Sequence, residues 1–92
     1  MAESTINVET APARVVRDQV EQLLEQLIAD GRAIAPAVSL DRQLGAAAAV
    51  FQINVDGYPA AINTGVAIFF DAQNAIGLEP TMRNMTIAPP AP

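Results

Sequence analysis

The stretch Ala46–Asp71, AAAAVFQINVDGYPAAINTGVAIFFD, decides how this chain folds. It belongs to a run of 28 residues between Arg42 and Asp71 that carries a single charge, Asp56, and so calls for burial. Its first half has strand periodicity: Phe51, Ile53 and Val55 alternate with Gln52, Asn54 and Asp56, and Asp56-Gly57 is a turn signal. After Tyr58-Pro59, alternation resumes with Ile62, Thr64, Val66, Ile68 and Phe70, and the β-branched and aromatic residues of 66–70 favour a second strand, closing a hairpin. A helical reading competes, because Pro59 can open a helix, Ala60, Ala61, Ala72 and Ala75 suit one, and Gly77 and Pro80 can stop it. We expect strand to Phe70 followed by a short helical turn over 71–76. On a strand, Phe69 and Phe70 would face opposite sides, so a second chain would be needed to cover one of them.

Upstream of this stretch, 33–39 reads as an irregular connector because Pro36 forces Ala35 away from helix. Ser39 can cap a helical segment through Leu44, and Ala46–Ala49 are helix formers. Further back lies an amphipathic helix over 10–30, with Thr10 as N-cap and Pro12 in the first turn. Its apolar face is Val16, Val20, Leu23, Leu24, Leu27 and Ile28, its polar face Arg17, Asp18, Glu21, Gln22, Glu25 and Gln26, and Asp30-Gly31 ends it. Val16, Val20, Leu23 and Leu27 also follow coiled-coil spacing over about two heptads. Residues 1–9 read as an extended arm or short edge strand, Met82 to Ile87 as a last strand, and the tail 88–92, APPAP, as an extended proline-rich arm.

Ninety-two residues make one domain, divided into an N-terminal arm at 1–9, a body at 10–87 and a C-terminal arm at 88–92. The expected fold is α+β: the N-terminal helix packed on a small antiparallel sheet, with an all-α helical hairpin as the alternative.

The composition removes most chemistry. With no Cys and no His there is no thiolate, imidazole base or zinc-type ligand set. Asp18, Glu21 and Glu25 suit a solvated helix face rather than a metal site, and Asp56-Gly57 lacks calcium-loop spacing. Ser4 and Ser39 have no activating base, and the five glycines form no phosphate-binding cluster. Asn84-Met85-Thr86 matches a glycosylation acceptor by coincidence, and Tyr58 suits packing beside a turn. We therefore expect no catalytic residue, cofactor, metal or small-molecule substrate. A net charge of −5 with five scattered arginines disfavours nucleic acid and anionic membrane surfaces.

What remains is protein–protein contact. The expected function is a non-enzymatic structural subunit that completes or cements a larger symmetric assembly, most concretely a phage capsid accessory or minor virion protein, made in the cytoplasm and carried in the virion. The expected interface residues are Val16, Val20, Leu23, Leu27, Phe51, Phe69 and Phe70. The alternative is a small adaptor that docks a partner groove through the helix at 10–30.

Overall fold

The computed structural model describes residues 3–88. In chain order the elements are β1 (Glu3–Glu9), α1 (Arg17–Ala29), β2 (Ile34–Asp41), β3 (Ala46–Asn54), α2 (Tyr58–Ala75) and β4 (Asn84–Ala88). The strands form one sheet of order β2-β3-β1-β4, with every neighbouring pair antiparallel. Because β3 lies between β1 and β2, this is the split βαβ arrangement, repeated as βαββαβ in ferredoxin-like folds. The fold is therefore α+β, and the sheet rules out the helical hairpin.

Alternate strand residues set the two faces. Ile6 and Val8 of β1 and Ala47, Ala49, Phe51 and Ile53 of β3 are buried, and Val38, Leu40, Met85 and Ile87 pack against the same core from the outer strands. Leu23 and Leu27 of α1 and Ile68, Phe69 and Ala72 of α2 cover them from one side. Accessible surface is 5352 Å², against about 5100 Å² expected for a compact monomer of this mass. One chain thus suffices to enclose the core that its long uncharged run demands.

Four expectations are corrected. The segment over 62–70 is helix, part of α2, not strand. Pro59 sits in the first turn of α2, and Ala61, Gly65, Ile68, Phe69 and Ala72 form one buried stripe at helical spacing. Gly65, which suggested a strand, serves a close approach: a Cβ there would lie 2.7 Å from Met85 Cε and 3.3 Å from Ile6 Cγ2, both on the sheet below. Packing on the sheet overrides the strand preference of the β-branched and aromatic side chains. The Asp56-Gly57 turn is in place, but it leads into a helix and closes no hairpin.

Residues 3–9 are likewise not an arm but the inner strand β1, paired to β3 on one side and β4 on the other. The connector over 33–39 and the helical segment expected after Ser39 are replaced by β2, an edge strand, where Pro36 costs no ladder bond that matters. The run Ala46–Ala49 belongs to β3, where Ala47 and Ala49 face the core. The tail at 89–92 lies outside the described residues.

The first helix is shorter than expected, because Thr10 does not cap it. Thr10 is buried and pairs with Ala47, its N–H donating to the Ala47 carbonyl at 2.9 Å and its Oγ1 accepting from the Ala47 N–H at 3.0 Å. Helix α1 starts instead after Val16, whose N–H donates to Gln19 Oε1 at 2.9 Å. The intervening loop is held by Gly45, whose carbonyl accepts from Ala13 at 3.1 Å and Val15 at 2.9 Å. Gly45 has φ +64, and a Cβ there would sit 3.1 Å from Arg14 Cα, so no other residue fits without strain. At its far end α1 stops at Asp30, as expected, and β4 confirms the expected last strand.

Candidate interaction surfaces

The polar groups inside the fold are already occupied. Gln73, buried on α2, donates from Nε2 to the Thr81 carbonyl at 2.8 Å and accepts the Thr81 N–H on Oε1 at 3.1 Å, while Thr81 Oγ1 accepts from Ala11 at 3.0 Å. These bonds fix the connector between α2 and β4 against the loop after β1. No buried side-chain polar atom among the described residues lacks a partner, so none is poised toward a ligand.

Two charged clusters tie elements together. Arg32 donates from Nε and Nη2 to both carboxylate oxygens of Asp30, at 2.9 and 2.7 Å, and from Nη2 to Asp71 Oδ2 at 3.0 Å, linking the end of α1 to α2. The hydrogen bond from Arg32 holds Asp30 below the usual carboxylate range despite some burial, and the bonds to Asp30 and Asp71 raise Arg32 in turn. Glu9 is paired with Arg83 and accepts from Asn84 Nδ2 at 3.2 Å. No group of three or more metal-ligating side chains occurs among the described residues. No helix among them is long and apolar enough to cross a membrane.

The sheet face away from the helices is open. Its rows run Ala37–Val50–Asn7–Thr86 and Ser39–Ala48–Glu9–Asn84, and small side chains leave an open depression of about 500 Å³. Its centre carries no unpaired charge, since Glu9 meets Arg83, and it holds neither the aromatic nor the basic side chains of a nucleic-acid platform.

Of the expected interface residues, Val20, Leu23, Leu27, Phe51 and Phe69 are buried in the chain's own core. The apolar seam of α1 is therefore turned onto the sheet, and docking a partner through it would require α1 to leave. Phe69 and Phe70 do not point to opposite faces of a strand: on α2, Phe69 is in the core and Phe70 is half-buried on the outward side. Val16 is 54% exposed at the start of α1.

On the outside of α2, sequence reasoning singled out Phe70 alone. Ile62, Val66, Ala67 and Phe70 are half-buried there, Asn63 and Asn74 are exposed, and Tyr58 is 65% exposed at its start. Asp71 is the only charge in the helix. The signal was present in the uncharged run itself, but reading it as strand put the outward residues in the wrong places. No family model matches the chain, and no curated protein matches it.

Proposed function

We propose that this chain is a non-enzymatic structural subunit that works by packing against other protein chains in a larger symmetric assembly. The observation that carries this reading is α2: an 18-residue helix whose side chains are uncharged around its circumference but for one, Asp71, which is bonded to Arg32. A helix with so few charges suits the inside of a larger body, and here only part of its circumference is covered by the sheet and α1. The satisfied interior polar groups and the absence of Cys and His support contact rather than chemistry as its work.

A phage capsid accessory protein is the concrete form of this proposal. Its support is the small acidic domain with a partner-ready helix; the N-terminal arm is no longer part of it, because 3–9 is spent in the sheet. Light scattering after size exclusion tests the reading. Full-length chain loaded from about 1 to 300 μM should pass from 9.7 kDa to a defined multiple of that mass, as expected for contacts of modest area. A single 9.7 kDa species over the whole range, for a folded chain, contradicts it.

A further inference from the structure

The two edges of the sheet are finished differently. On the β2 edge, Pro36 removes a donor, Ala35 takes φ +49, and the register with β3 shifts between Ile34 and Ala37. Each of these blocks the addition of another strand. On the β4 edge, Asn84, Met85, Thr86, Ile87 and Ala88 pair with β1 in unbroken register and include no Pro, no Gly and no charge. Among the described residues no strand lies on its outer side.

Helix α2 packs over the inner strands β1 and β3, and at Gly65 it meets the side chains of Ile6 on β1 and Met85 on β4. One flank of α2 faces α1, where Asp71 meets Arg32. At 100° per residue, Ile62, Val66 and Phe70 fall on the opposite flank, on the β4 side of the molecule. Half-buried Met85 and Ile87 of β4 pack against the core on that side. Strand edge and helix flank thus lie on one side of the molecule in two layers, and none of these residues is charged.

We propose that the β4 edges of two copies pair antiparallel about a two-fold axis at Thr86, continuing the sheet to eight strands with the two α2 flanks packed above the seam. This rests on the assembly reading above and names its partner as a second copy of this chain. The β4 edge is self-complementary in that register. Met85 comes opposite Ile87 and Asn84 opposite Ala88, while Thr86 meets its own symmetry mate, a favourable cross-strand pair. Charge argues the same way: a chain of net charge −5 repels itself least where it presents no charge. The guarded β2 edges then end the sheet, so the contact closes as a dimer. With a flank about 27 Å long and about 15 Å deep, on the order of 400 Å² per copy, the dimer belongs at the weak end of specific interfaces.

Sedimentation equilibrium on the full chain tests this, with Thr86→Lys, Thr86→Asp, their equimolar mixture and Ser39→Lys. The Thr86 and Ser39 side chains are exposed on the open face, so all variants should keep the fold, checked by circular dichroism. Each Thr86 variant places like charges together at the axis and should weaken the dimer at least about tenfold. The mixture should restore it as a heterodimer, and Ser39→Lys, on the far strand of the same face, should dimerise like the wild type. If the Thr86 variants associate like the wild type, or Ser39→Lys dissociates as they do, the β4 edge is not the contact, while the assembly reading stands. A wild-type chain that stays monomeric removes that reading too.

Discussion

Two helices cover one face of the same sheet, yet they show solvent different things. Helix α1 presents Arg17, Asp18, Glu21, Gln22, Glu25 and Gln26 outward, with Ile28 the exposed apolar exception near its end, and buries Val20, Leu23 and Leu27. Helix α2 buries a comparable stripe but turns Asn63, Ala67, Phe70 and Asn74 outward, with Ile62 and Val66 on its flank. The difference teaches that burial of the core and coverage of the surface are separate demands. The first is met within one chain on both helices; outside the core, α1 is mostly charged and α2 mostly uncharged.

The largest effect should separate two adjacent residues of α2. Phe69→Ala, in the core, should lower unfolding free energy by about 3–5 kcal/mol, as Leu23→Ala on α1 should by about 2–5 kcal/mol. Phe70→Ala should cost well under half as much while weakening association, both readable by denaturant titration and sedimentation. Equal losses of stability at 69 and 70 would break the distinction between core and outward side. Next, Gly65→Val should cost about 1–3 kcal/mol by overpacking, because α2 meets Met85 and Ile6 at that point. A neutral substitution there would mean that α2 can ride higher on the sheet than its packing indicates.

The smallest effect concerns the tie between the helices. Asp30 is held below its ordinary range by Arg32, so the stabilisation is present above the unfolded carboxylate value, near 3.9, and is lost as pH falls through the folded value. Arg32→Ala should therefore be less stable at neutral pH by under about 1 kcal/mol, the pair being half-exposed. Variant and wild type should converge as pH falls through the folded value of Asp30. A gap unchanged by acid would show that Arg32 acts by packing alone.

The sequence makes α1 legible because its period is clean and its polar face is charged. It makes the alternation of Phe51 to Val55 legible for the same reason: two sides of the element meet different media. Helix α2 is obscured because its outward side is not polar, so period 2 and period 3.6 both fit Ile62 to Phe70, and Gly65 reads as a strand break until Met85 is seen beneath it. Strand β1 is obscured because seven residues do not show that β3 and β4 flank them, and β2 because Pro36 is tolerated at an edge. The uncharged run contains the helix that we propose meets a partner. Which of its residues are free for a partner depends on the helical geometry.

Hydrogen exchange at low and high protein concentration tests the contrast between the helices most directly. Amides of α2 and of 84–88 should gain protection as concentration rises across the association range, while those of α1 stay unchanged. Protection that rises equally on both helices, or on neither, would contradict the assignment of α2 and the β4 edge as the side of the molecule built for another chain.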